Sequence, residues 1–262
     1  MLRGLYTGAS GMVNNQRRMD VVSNNLANST TKGFKEVYHT QKTFPENDMV
    51  RTNDEKKQLP LGTIDKRPEI GPMNTGVAGD GTYVNWAAGS FDETGNPLDL
   101  AIEGEGFFAV ELENGEEVYT RNGNFKLNSN SELVAQGGAR VLGEDGPIQF
   151  PDNVEEINVI GTGRIIDGDN NIIGDLRVRN FENPQQLERM GQNFYRLGDA
   201  EAEEMPIEDY NVHQGMLEHS NVDPIKSITE IINLNRNHEM QTRVIRKQSS
   251  ALGRAISRVG RA

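Results

Sequence analysis

Residues 2–28, LRGLYTGASGMVNNQRRMDVVSNNLAN, place Leu5, Met12, Met19 and Leu26 seven residues apart, with Leu2 and Ala9 three residues ahead of the first two. A seven-residue apolar repeat turns one narrow seam of an α-helix towards a partner, so the spacing predicts an N-terminal helix to about Asn28. The companion positions Gln16 and Ser23 are polar, which makes the seam a poor independent coiled coil. Gly4, Gly8 and Gly11 form a small-residue stripe beside it. Each glycine costs about 1 kcal/mol relative to alanine in a helix interior, so this helix is marginal alone. The glycines are either the close contacts of an ordinary amphipathic helix or the face on which partner helices must pack before it orders.

The other end of the chain repeats the pattern. Asp223 and Pro224 make a start signal, a capping side chain before a residue whose missing N–H is no loss in a first turn. Ile231, His238, Ile245, Leu252 and Val259 then recur at seven-residue spacing, Ile228, Asn235, Thr242, Ser249 and Ile256 fill a second row, and Gly260 is a natural stop. About 36 residues at 1.5 Å each span roughly 54 Å, longer than a compact domain of this size needs. The economical expectation is that the two narrow, part-polar heptads pair as a coiled-coil-like domain made of residues 1–35 and 222–262.

Between the helices the period falls to two, as in Leu98-Asp99-Leu100-Ala101-Ile102, and turn signals recur, among them Asn114-Gly115, Asn122-Gly123, Asp145-Gly146 and Asp167-Gly168. The fold class expected is therefore mixed, with long terminal helices around a central all-β domain, sandwich or barrel-like, over residues 76–221. Residues 36–75, rich in charge and in proline, show no sustained period and are expected to form an extended connector.

The 262 residues carry 27 basic and 39 acidic side chains, and the charge is segregated. Residues 1–35 sum to +4, residues 222–262 to +5, and the middle to −21. The basic charges of the tail, including Arg243, Arg246, Lys247, Arg254 and Arg258, alternate with helically spaced apolar residues, which fits a solvated helix face better than a nucleic-acid site. No apolar run approaches the ~20 residues of a membrane helix, so no direct membrane insertion is expected. The N-terminus has no apolar signal-like stretch, so a cleaved signal peptide is not the expected export route. The absence of cysteine removes disulfides, thiolate metal sites and a cysteine nucleophile.

Candidate chemistry is sparse. The four histidines, His39, His213, His219 and His238, are scattered, and His238-Glu239 has no second histidine at the spacing of a helical zinc site. Gly104-Glu105-Gly106 does not complete a dinucleotide fingerprint and reads as a turn between strands. Asp167, Asp169 and Asn171 imitate a calcium loop, but Ile172 and Val178 stand where glycine and a bidentate carboxylate are needed, so a hairpin turn is expected. No catalytic residue, metal site or cofactor is expected, and a β-rich enzyme has only the acidic surface in its favour.

The unusual stretch is the end of the first helix: Asn24-Asn25-Leu26-Ala27-Asn28, Thr31, then Gly33-Phe34-Lys35. Asparagine side chains compete for backbone hydrogen bonds and are poor within a helix, whereas Gly33 suits a left-handed exit and Phe34 an anchor. At these residues the sequence closely resembles the flagellar axial protein family, specifically basal-body rod proteins of the FlgF/FlgG kind. The resemblance continues at Leu98 to Phe108, Tyr119-Thr120-Arg121-Asn122-Gly123-Asn124-Phe125, Gly191 to Tyr195, Gly215 to Glu218 and Ser220-Asn221-Val222, and covers nearly the whole chain. It implies a non-enzymatic subunit of the tubular rod that carries torque from motor to hook. It implies that terminal helices form the tube with the β-domain outside. It also implies export through the flagellar export apparatus, to an extracytoplasmic place in the basal body, with copies of itself and other rod and hook proteins as partners. Carried onto this chain, the junction motif is Asn25, Asn28, Thr31, Gly33, Phe34 and Lys35. The tube-forming residues are Leu5, Met12, Met19, Leu26, Ile231, Ile245, Leu252, Ile256 and Val259, with Gly4, Gly8 and Gly11 as close-packing positions. The alternative class is a soluble β-domain binding or cap module on a preformed coiled-coil stalk, or a hook-type axial subunit.

Overall fold

The computed structural model describes residues 2–52, 56–59, 62–65, 67–151, 157–198, 204–205 and 210–260. It contains two long helices, α1 (Leu2–Ala27) and α2 (Pro224–Val259), with a β-rich region between them. The chain divides into two compact units, one of residues 1–23, 38–83 and 225–262, the other of residues 24–37 and 84–224.

In the first unit, apart from Val37 and Val84 at its edge, the strands between the helices pair in three nested two-stranded sheets. Val37–Thr43 pairs with Val77–Val84, Asn47–Val50 with Glu69–Met73, and Lys56–Leu59 with Gly62–Asp65. Residues 36–75, read from sequence as an extended connector, supply most of both arms. A two-stranded ribbon buries little on either face, so its sequence lacks alternation: Asn47–Val50 and Glu69–Met73 are mostly exposed. Pro72 lies inside a strand with a single neighbour, where a missing N–H need not break a ladder.

The second unit carries the core. Its largest sheet orders strands Lys126–Leu127, Leu133–Val134, Arg140–Gly143, Phe107–Glu111, Glu117–Thr120, Phe194–Leu197 and Leu187–Gly191, and Val178–Phe181 also pairs with Phe107–Glu111. Phe107–Val110 reads as a continuous apolar run because both of its faces are covered. Phe108 and Val110 enter one cluster with Leu100, Ile102, Val118, Phe125, Val141 and Ile165, while Phe107 and Ala109 enter another with Tyr119, Leu142, Phe181, Leu187 and Tyr195. Trp86 packs on the second cluster, its ring 4.9 Å from Tyr195 and 5.0 Å from Phe107, edge to face in each case. Among the described residues the region forms several sheets and none closes on itself, so the barrel expectation gives way to open sheets. Closure requires every strand to have two neighbours, and here short strands and isolated bridges end the ladders.

Two local expectations resolve simply. Gly104 and Gly106, both at positive φ, turn Leu100–Gly104 into Phe107–Glu111. Asp167 accepts hydrogen bonds from the backbone N–H groups of Asp169 and Asn171, closing a hairpin between Arg164–Asp167 and Ile172–Asp175.

Candidate functional site

Within the first unit α1 and α2 run antiparallel, as five contacts in register show. Arg18 pairs with Glu230 at 2.6 Å, and Asn15 donates to the Leu234 carbonyl at 2.9 Å. A Cβ on Gly11 would lie 3.4 Å from Gln241 Nε2, one on Gly8 3.1 Å from Ile245 Cγ1, and one on Gly4 2.8 Å from Gln248 Nε2. The glycine stripe thus faces α2 directly and lets side chains of α2 approach the α1 backbone. The row Leu5, Met12, Met19 and Leu26 lies to one side and is half-buried, as are Ile231, Ile245 and Leu252, while Ile256 and Val259 are exposed.

Sequence reasoning missed Asn15 and Leu234, both buried, and the glutamines. The signal was present in Gln241 and Gln248, seven residues apart, but apolar size drew the eye elsewhere. This interface is poorly satisfied. His238 Nδ1, Gln241 Oε1 and Gln248 Oε1 are buried without a hydrogen-bond partner among the described residues, each a cost of about 1–3 kcal/mol. The Arg18–Glu230 pair is largely exposed and contributes little.

The junction motif lies wholly in the second unit, with Leu26. The Asn25 side chain is 3% exposed and takes both backbone groups of Val37: its Nδ2 donates to the Val37 carbonyl at 2.8 Å, and its Oδ1 accepts from the Val37 N–H at 3.1 Å. Asparagine here imitates a strand neighbour, which fixes the chain leaving the helix against the helix itself. Asn28 Nδ2 donates to the Asn24 carbonyl, and the Thr31 hydroxyl donates to Asn28 Oδ1. Gly33 adopts φ +67° and donates its N–H to the Glu218 carbonyl at 2.8 Å. A Cβ there would sit 2.5 Å from the Asn122 nitrogen, so the position needs glycine for both conformation and space. Phe34 is 1% exposed, with the Arg189 guanidinium 4.9 Å from its ring centre.

Lys35 is the most deeply committed residue of the motif. Its ammonium is fully buried and donates to Glu218 Oε1 at 2.6 Å and to the Ala87 carbonyl at 2.9 Å. The same Glu218 oxygen accepts from the Gly89 N–H at 2.8 Å, and Arg121 lies 3.7 Å from the other oxygen. Arg121 also donates to the Ile102 and Gly104 carbonyls and lies over the Phe107 ring. Burial holds the Lys35 ammonium below the usual lysine range, opposed by Glu218, and burial likewise lowers Arg121. Neither Glu218 nor Arg121 was singled out as a partner of Lys35, because 183 residues separate Lys35 from Glu218 and only the fold brings them together.

These groups bind backbone and one another. Among the described residues no cluster of His, Asp or Glu could hold a metal ion, and no helix is long and apolar enough to cross a membrane.

Three family models match the chain: "Flagella basal body rod protein" over residues 5–35, "Flagellar hook protein FlgE/F/G D1 domain" over residues 101–166, and "Flagellar basal body rod FlgEFG protein C-terminal" over residues 213–258. Among similar proteins, the flagellar basal-body rod protein FlgF of Caulobacter vibrioides is 34% identical over 100% of this chain and 99% of its own length. The flagellar basal-body rod protein FlgG of Bacillus subtilis is 32% identical over 98% of this chain and 99% of its own. The flagellar hook-basal body complex protein FlhO of Bacillus subtilis is 29% identical over the whole of both. The junction, the helix pair and these full-length likenesses agree: the chain belongs to the flagellar basal-body rod protein family, whose members are structural subunits and not enzymes.

Proposed function

We propose that the chain polymerises with copies of itself and with other rod and hook subunits, through α1 and α2, into a tubular drive shaft that transmits torque from motor to hook. The β body, layered as a sandwich about its two apolar clusters, lies outside the tube. The subunit reaches this extracytoplasmic place through the flagellar export apparatus.

The observation that carries the reading is the incompleteness of the helix pair. Between α1 and α2 lie glycines, asparagine, glutamines and unsatisfied polar atoms, while large apolar residues of both helices stay exposed: Tyr6 and Val13 on α1, Ile228, Ile232, Met240 and Val244 on α2. A pair that buries so little is marginal as a monomer and gains its coiled-coil character when neighbouring helices cover the remaining faces. Stiffness then comes from many interlocked long helices. The junction transmits load, since Asn25 holds the end of α1 to Val37, and Gly33 and Lys35 bind the chain that follows to Glu218 through buried bonds.

Ile245→Asp tests the reading, because it places a charge over Gly8 in the helix pair. The variant is expected to lose polymer formation in sedimentation while keeping the β-sheet circular dichroism of the parent. Leu26 is a worse site for this test, since it belongs to the same unit as the β body. Polymer formed by Ile245→Asp at the parent's concentration threshold would overturn the proposal.

A further inference from the structure

The face that α2 turns towards α1 runs through Leu234, Gln241, Ile245 and Gln248, and its row continues past the Gly4–Gln248 approach into Leu252, Ile256 and Val259. There the covering ends: Ile256 is 70% and Val259 80% exposed. Near the other end of the same helix Ile228 and Ile232, one turn apart, are 47% and 46% exposed. We propose that the last two turns of α2 in one copy dock on the first turns of α2 in the next copy, stacking subunits head to tail with their α2 helices parallel. This contact rests on the polymerisation reading above and specifies its axial step.

Three features support a second copy as the occupant. Ile256 and Val259 prolong a seam that is already a helix–helix interface, so another apolar helix face laid on them extends existing packing. The two exposed clusters cannot meet within one chain, because Ile232 and Ile256 are about 36 Å apart along a continuous helix. A contact between different patches of identical subunits does not close as a pair but propagates, as a filament requires. With an overlap of two turns, a 36-residue helix gives an axial step of roughly 43 Å.

The chain has no cysteine, so introduced thiols report on single contacts. Ile228→Cys and Ile256→Cys variants, carrying different tags, are co-assembled with an excess of unmodified chain, which keeps polymer formation independent of the variants. The pelleted polymer is then treated with a short bismaleimide. The expected result is a covalent heterodimer bearing both tags, at least tenfold more abundant in the pellet than in the soluble fraction, and the same for Ile232→Cys with Val259→Cys. Homodimers of either variant in place of heterodimers would overturn the head-to-tail contact. So would polymer that yields no heterodimer with either pair. If the unmodified chain forms no polymer, the self-polymerisation reading fails, and this contact falls with it; polymer without heterodimer removes only the contact.

Discussion

Replacing Glu218 by leucine strands the Lys35 ammonium in the interior with the Ala87 carbonyl as its one remaining acceptor among the described residues, and leaves the Gly89 N–H without its carboxylate. Removing one member of a buried ion pair costs about 3–5 kcal/mol, against total stabilities of roughly 5–15 kcal/mol for a domain. For a unit of this size each kcal/mol moves the melting temperature by about 2–4 °C, so a fall of roughly 6–20 °C is expected. Thermal and urea unfolding followed by β-sheet circular dichroism measure it. The reasoning depends on the unpaired charge rather than on lost packing, so the double variant Lys35→Met with Glu218→Leu is expected to recover at least ~2 kcal/mol relative to the sum of the single changes. The sign with pH is also fixed. Lys35 in the folded chain releases its proton below the usual 10.5, and more readily still without Glu218, so the unfolded chain holds more protons in that window. Stability of Glu218→Leu should therefore rise relative to the double variant as pH climbs towards 10.5. Additive single changes, or a Glu218→Leu melting point within 2 °C of the parent, would refute the role given to the pair.

Other substitutions test the junction and the core separately. Gly33→Ala, forced to φ +67° with its methyl 2.5 Å from the Asn122 nitrogen, should lose more than about 2 kcal/mol in urea unfolding. Asn25→Ala leaves the buried Val37 N–H and C=O without their bonds and is expected to cost about 2–4 kcal/mol, read from the urea midpoint at constant slope. Tyr195→Phe removes a buried hydroxyl that has no partner among the described residues, so stability at neutral pH should change little or rise. Burial pushes the Tyr195 phenol from 10.0 up to about 12. The unfolded chain therefore ionises first, and the parent should lose up to about 2.7 kcal/mol between pH 10 and 12, a loss Tyr195→Phe escapes. Equal slopes for parent and variant in that range would contradict the assignment.

The sequence made the architecture readable wherever a side chain repeats in register with the backbone. Heptads at both ends marked α1 and α2, and Pro224 marked the start of the second helix; Gly33 is left-handed as expected, but α1 ends at Ala27, six residues before it. The pairing face was harder, because apolar size suggested Leu5, Met12, Met19 and Leu26 while the closest approaches run through Gly4, Gly8 and Gly11. Small residues signal contact by what they lack. The paired strands of residues 37–50 and 69–84 were illegible for a different reason: a two-stranded ribbon buries little on either face, so little selects alternation. Asn25 and Lys35 were recognisable as unusual, but their partners were not. Val37 and Glu218 are defined only by the path of the chain in space.

Amide hydrogen exchange on the purified chain before and after polymerisation, with mass in solution read by light scattering, tests the assembly-coupled ordering most directly. The expected result is a monomer in which residues 2–23 and 225–260 exchange quickly while the sheet strands of residues 100–197 are protected, with protection spreading through both helices on polymerisation. Helices already protected in a monomer or in a small closed oligomer, and unchanged in the polymer, would contradict it and favour a preformed stalk.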